Sequence, residues 1–198
     1  MHNPFNIFLR ASMLGIFSIA IGGGTLQMMA PPAMAAERAV APEKNPPGDI
    51  PDTQAFVTFK SPAGFSVKSP EGWARSKRNN GVRFADKYNA VDIDISAAAA
   101  LPSVASVKNG QAAELTKTGR AVKIKTIRNV KLPAGPAVLI VYQSNSEPNP
   151  VTNKQLRLES NRYLVFRNGK LAAIDLSAPL GADNVDQWKL IAHSFHWN

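Results

Sequence analysis

RYLVFRNGKLAA, residues 162–173, holds the strongest turn signal in this chain of 198 residues. Asn168-Gly169 suits a two-residue hairpin turn, because both central positions of such a turn want positive φ and these two residues tolerate it best. A turn there pairs Phe166 with Leu171 and Val165 with Ala172. Opposed pairs at adjacent positions point to opposite faces, so both faces of this hairpin are apolar. A sheet that is apolar on two sides must be covered on two sides, and helices or loops must supply the covers.

Working back toward the N-terminus, AVLIVYQS (137–144) carries VLIVY, apolar on both faces as an internal strand requires. Pro133-Ala134-Gly135-Pro136 forms a tight turn between it and the strand AVKIKTIRNVKL (121–132). Residues 145–154 form a polar, proline-bearing loop, after which QLRLES (155–160) leads into the hairpin. Pro102 to Gly119 reads as a helix: Pro102 suits a first turn, Ala112, Ala113 and Leu115 favour helix, and Gly119 suits the stop. Gly110 predicts a break in its middle. Before it, VDIDISA (91–97) alternates strictly, with Val91, Ile93 and Ile95 on one face and Asp92 and Asp94 on the other. Asn79-Asn80-Gly81 is a hairpin turn into GVRFAD (81–86), and AFVTF (55–59) and GFSVKS (64–69) are two further strands. Beyond the central hairpin, Asp183 to His193 reads as a second helix. Asp183 is its expected N-cap, and Val185, Trp188, Leu190, Ile191 and Ala192 are its expected apolar positions. The order is strands, helix, four strands, helix. Short turns between sequential strands give an α+β fold with a mostly antiparallel sheet sandwiched by helices.

Residues 1–35 read as a cleavable secretion signal. Arg10 supplies the positive start, Ala11 to Ile21 is an uncharged apolar run, and Ala33-Met34-Ala35 fits an A-x-A cleavage site with a mature start at Ala36. Gly22, Gly23 and Gly24 interrupt the run, which argues against a retained spanning helix. Residues 36–54 carry Pro42, Pro46, Pro47 and Pro51 without a hydrophobic period, and read as a disordered linker. Residues 55–198 then form one domain. The mature form is expected to lack a transmembrane segment and to work in the periplasm or on an extracytoplasmic membrane surface.

The chain has no cysteine, which excludes disulfides, thiolate chemistry and a lipid-anchored cysteine. The net charge is +9, and +8 once residues 1–35, with Arg10 as their one charged side chain, are removed. Such a balance points to an anionic partner, an acidic protein or an anionic membrane or cell-wall surface. Lys123, Lys125, Arg128 and Lys131 lie along one predicted strand and are the candidate contact residues. They lack interleaved exposed aromatics, so they do not read as a nucleic-acid surface. A solvated face is the plainer reading of the same residues.

GFSVKSPEGW, the helix after VDIDISA, VKLPAGPA, RYLVFRNGK and the ending DQWKLIAHSFHW together resemble the PsbP-like family. That superfamily includes the extrinsic photosystem II protein and the Ran-binding Mog protein. The resemblance covers most of residues 56–197. Its anchors are Phe65, Pro70, Gly72 and Trp73 early in the domain and Trp188, Ser194 and Phe195 at its end. It implies an α/β/α arrangement of sheet between helices and a non-enzymatic accessory or binding role, as an exported bacterial member. Photosystem binding is not carried over, since no residue set here supports it.

His193 and His196 form an H-x-x-H that would face one metal ion on a continuous helix. Ser194 to Trp197 reads as extended, however, which turns the two rings apart. Asp92 and Asp94 share a strand face and would suit a hard cation or acid–base work, or would pair across strands with Lys123 and Lys125. Trp73, Trp188 and Trp197 read as core residues. No G-x-S-x-G, P-loop or G-x-G-x-x-G is present, so no enzyme activity and no cofactor are expected. A small-ligand or metal-binding domain is the alternative to the docking module.

Overall fold

The computed structural model describes residues 37–198. The secretion signal read over residues 1–35 lies outside the described residues. Seven strands form one antiparallel sheet in the order β3-β4-β5-β9-β8-β7-β6. They are β3 (Ala74–Arg78), β4 (Gly81–Ala85), β5 (Ala90–Ala97), β6 (Lys123–Leu132), β7 (Gly135–Asn145), β8 (Arg157–Arg167) and β9 (Lys170–Pro179). A smaller sheet joins β1 (Phe56–Ser61), β2 (Phe65–Pro70) and β10 (His196–Trp197) in the order β1-β2-β10. Three helices complete the domain: α1 (Val104–Asn109), α2 (Gln111–Thr118) and α3 (Val185–Ser194). The α+β class expected from the sequence is the class observed.

The central hairpin forms in the expected register, Phe166 with Leu171 and Val165 with Ala172. Asn168 and Gly169 take φ of 47° and 76°, the positive values that a two-residue turn of this kind requires. Both faces are covered. On one, Ile174, Leu176 and Val165 join Val91, Ile93 and Phe84 in a core closed by Trp188, Ile191 and Ala192 of α3 and by Phe65 and Val67 of the small sheet. On the other, Val138, Ile140 and Leu164 pack with Val107 of α1 and Leu115 of α2. The first cover is therefore a helix together with a three-stranded sheet.

The 102–119 helix is two helices, broken at Gly110 as its glycine predicts. Ser103 caps α1 by accepting the Ser106 amide at 3.1 Å. Gly119 ends α2 by close approach: a Cβ there would stand 2.5 Å from Val122 Cγ2 and 2.7 Å from the Leu115 carbonyl.

Three expectations need correction. The N-cap of α3 is Asn184, one residue beyond Asp183. Val185 and Leu190 are 74% and 39% exposed, and Gln187 takes a buried place instead. The face of α3 is set by what it packs on, which a short apolar list does not reveal.

The third correction concerns residues 37–54. They have no regular secondary structure, as their prolines dictate, yet they are not a free linker: they strap the domain and belong to the same compact unit. Ile50 is 4% exposed and sits in the α3-side core. The Ile50 amide donates to Asn184 Oδ1 at 2.7 Å, Asn184 Nδ2 donates to the Gly48 carbonyl at 3.0 Å, and Gln187 Nε2 donates to Asp52 Oδ1 at 3.0 Å. At the strap's other end Glu37 accepts from Asn145 Nδ2 at 2.8 Å and from Gln155 Nε2 at 2.7 Å. Composition alone missed this because the core that Ile50 enters and the strap's hydrogen-bond partners are supplied by distant elements.

Candidate functional site

On the sheet face that α1 and α2 partly cover, two register lines cross the strands side by side. One runs Ala90–Ser177–Ser160–Tyr142 through β5, β9, β8 and β7. Its first three members are small, and they leave a shelf with no bulky side chain on it. The next line runs Arg83–Asp92–Asp175–Arg162 through β4, β5, β9 and β8. Above the shelf lies an open groove of about 820 Å³, within the ~300–1,000 Å³ span of small-molecule sites. Pro148 and Pro150 of the 146–156 loop form one wall, and Glu43 and Pro47 of the strap form part of the other. Lys154 Nζ meets Glu43 Oε1 at 2.8 Å and joins the two walls.

The charged line is internally paired. Arg83 Nη1 reaches Asp92 Oδ2 at 2.5 Å, and Arg78 bridges Asp92 at 3.1 Å and Asp94 at 2.8 Å. Arg162 Nε donates to Asp175 Oδ2 at 2.8 Å, with a second bond from Nη2. Tyr142 Oη donates to the same carboxylate, within 3.0 Å of both oxygens. Asp175 is 13% exposed at its side chain. Burial pushes its carboxyl above the ordinary range, Arg162 and Tyr142 pull it back, and Asp92 across the strand pair adds to the rise. Burial likewise raises the Tyr142 phenol, helped by the Asp175 charge, so Tyr142 stays a neutral donor.

Asp92 and Asp94 therefore pair with Arg78 and Arg83. The expected pairing with Lys123 and Lys125 does not form, since β9, β8 and β7 separate β5 from β6. Lys123, Lys125, Arg128 and Lys131 instead line the exposed edge strand β6, and none makes an ion pair among the described residues. They do not share one face. Ile124 pairs with Tyr142 and Thr126 with Val141, which leaves Lys125 on a bulge. Beyond it Ile127 packs toward α1 and α2 while Val130 packs toward the other core. Alternation then places Lys131 with Ile127 and Arg128 with Val130. At the opposite edge, β3 exposes Arg75 and Lys77, with the Arg75 guanidinium 5.4 Å from the Phe59 ring centre.

His193 and His196 are both exposed and line a shallow hollow of about 450 Å³ beside Lys68. His196 Nδ1 lies 2.7 Å from the carbonyl of Ser194, the last residue of α3, and His196 itself belongs to β10. Among the described residues no three His, Cys, Asp or Glu side chains gather for a metal ion. Trp188 is buried at 7% exposure, and Trp73 and Trp197 pack partly buried against the same core. No helix among the described residues is long and apolar enough to cross a membrane.

Sequence reasoning missed the Arg162–Asp175 pair, although the signal was in the central hairpin. The turn that pairs Phe166 with Leu171 also pairs Arg162 with Asp175, the opposite charges that close the far ends of the apolar runs YLVF and LAAI. Tyr142, two strands from Asp175, carried no such signal.

No family model and no curated protein matches this sequence. Solved structures do. Cyanobacterial PsbP from Synechocystis sp. PCC 6803 is 16% identical with a TM-score of 0.50, over 76% of this chain and 98% of that one. A Pseudomonas aeruginosa protein of unknown function, PA94, a putative regulator, is 14% identical with a TM-score of 0.44, over 68% and 91%. LpqN of Mycobacterium tuberculosis, involved in cell envelope biogenesis, is 12% identical with a TM-score of 0.45, over 73% and 91%. An order of seven antiparallel strands, a two-sided cover and the match over nearly all of the cyanobacterial protein lead to one conclusion: the folded part of this chain has the PsbP-like fold.

Proposed function

We propose that this chain is an exported, non-enzymatic binding module that docks on an anionic, membrane-associated surface through the β6 edge of its large sheet. The observation that carries this reading is the distribution of charge in that sheet. Its inner carboxylates, Asp92, Asp94 and Asp175, are each paired with arginine. Its edges display Lys123, Lys125, Arg128 and Lys131 on one side and Arg75 and Lys77 on the other, exposed and outside any ion pair among the described residues. The positive charge of the folded part thus faces outward where a partner can meet it. The PsbP-like fold, the secretion signal read in residues 1–35 and the lack of any catalytic motif support the same reading. The groove favours a second role, the holding of a small ligand.

Basic edge strands also have a purely protective use, since lysines and bulges keep sheet edges from pairing with other chains. Flotation with phosphatidylglycerol vesicles separates the two. Docking predicts capture at 0.01 M salt that weakens steeply by 0.15 M, as the Debye length falls from ~30 to ~8 Å. It also predicts loss of capture in Lys123→Glu/Lys125→Glu/Arg128→Glu/Lys131→Glu, and none on phosphatidylcholine. Equal, salt-insensitive behaviour of both proteins leaves the edge as protection alone.

A further inference from the structure

We infer that the groove over the Ala90–Ser177–Ser160 shelf is a binding site for a neutral, polyhydroxylated ligand, an oligosaccharide. The first ground is charge. Nearly every ionic group around the groove is already engaged by the protein. Arg83 is held by Asp92, Asp175 by Arg162 and Tyr142, and Glu43 by Lys154. Asp86 accepts the amides of Tyr88 and Asn89 at 2.7 and 2.6 Å and Asn89 Nδ2 at 3.0 Å. An anion entering this site meets Asp92 and Asp175 side by side. A cation meets Arg83 at the end of the same line. A cation would have to displace an existing partner, and an anion finds one lining cation outside an ion pair among the described residues, Lys87, whose ammonium lies 5.1 Å from the Tyr88 ring centre.

The second ground is the chemistry that remains. Ser144 and Ser177 line the groove and have no hydrogen-bond partner for their hydroxyls among the described residues. Ser160, 2% exposed, lies between them on the shelf. Hydroxyls both donate and accept. A wholly apolar ligand would cover them without partners, which is unfavourable for a buried polar group. A polyol offers donors and acceptors on every edge. Its C–H faces would meet the apolar walls that Tyr88, Pro47, Pro148 and Pro150 supply.

The third ground is access. Among the described residues the strap and the 146–156 loop meet at the groove through the Lys154–Glu43 pair, and again at the strap's other end where Gln155 donates to Glu37. Lys154 is 64% exposed, and a pair this exposed is held weakly and opens readily. The site is thus ordered at its floor and easily entered from above. This inference stands apart from docking through β6, whose basic residues do not line the groove.

The test is a titration of the ¹⁵N-labelled protein, followed by amide shifts, with maltotriose, cellotriose and chitotriose in turn. Citrate and spermidine serve as charged counter-probes. The expected result is saturable shifts at Tyr142, Ser144, Ser160 and Ser177 with at least one trisaccharide, and none there with citrate or spermidine. Ser177→Leu and Ser144→Leu each fill the shelf from a different strand, so one serves if the other fails to fold. Each should weaken binding at least tenfold while leaving shifts elsewhere in place. Lys123→Glu/Lys125→Glu should bind as the parent does. Absence of groove shifts with all three sugars, shifts there with citrate or spermidine instead, or undiminished binding by a folded shelf variant overturns the inference.

Discussion

Toward α3, strand β9 presents Ala172, Ile174, Leu176 and Ala178, each fully buried. Toward the opposite face the same strand presents Leu171, Ala173, Asp175 and Ser177. Leu171 and Ala173 pack under α1 and α2, while Asp175 and Ser177 floor the groove. One face is thus apolar along its whole length. The other changes from apolar to polar within a single strand. The first face holds the fold together, since large aromatics such as Phe65, Phe195 and Trp188 meet there, with the Phe65 and Phe195 rings stacked 5.5 Å apart. The second face spends part of its area on groups that are costly to bury and must be paired. A sheet gives up core for such groups where they serve something other than stability, and a recess forms beside them because Ala90, Ser177 and Ser160 are small.

The largest expected effect that tests this contrast is on the apolar face. Trp188→Ala should cost about 3–5 kcal/mol in denaturant titration, the range for large aromatic deletions in a core. A loss below about 1 kcal/mol would mean that α3 does not close that face.

The next effect belongs to the polar face. Arg162→Met leaves the Asp175 carboxylate uncompensated and should cost about 2–3 kcal/mol. That is less than a fully buried pair, because the Arg162 side chain keeps 25% of its exposure. Arg162→Met/Asp175→Leu removes both charges and should recover most of that loss, to within about 1 kcal/mol of the parent. If the double variant is no better than the single, the pair contributes to the fold as the apolar face does, and the contrast fails.

The smallest effect concerns the strap that borders both regions. Hydrogen bonds from Asn145 and Gln155, then the nearby Arg120 charge, hold the Glu37 carboxyl below its ordinary 4.5. A depressed carboxyl adds stability above its unfolded value and loses it as pH falls through the folded value. The stability difference between the parent and Glu37→Gln should therefore be largest near neutrality and vanish in acid, below pH 4.5. A difference that grows on acidification would show that the strap is held by other contacts.

Much of the framework was legible because it rests on local rules. The Asn168-Gly169 turn sets its own register, and that register alone places apolar residues on both sides of the sheet. Alternation in VDIDISA assigned Val91 and Ile93 to the core correctly. The groove was not legible as a site. Its floor draws on β5, β7, β8 and β9 and its walls on the strap and a loop a hundred residues away. Only half of one feature, Arg162 opposite Asp175, followed from turn arithmetic.

By itself the sequence determined the α+β class, the central hairpin and its two apolar faces, the break at Gly110 and the excess of positive charge. Each depends on residues within a turn or a strand of one another. Only the tertiary structure decided the rest. It gave the strand order, which puts three strands between Lys123 and Lys125 and the carboxylates of Asp92 and Asp94 and leaves the lysines bare on an edge. It split the four basic residues of β6 between two faces at the Lys125 bulge. It turned a proline-rich stretch into a strap by supplying a core place for Ile50 and a side chain, Asn184, for its backbone. Pairing and burial between residues far apart in sequence depend on how the whole chain closes, and no local pattern carries that information.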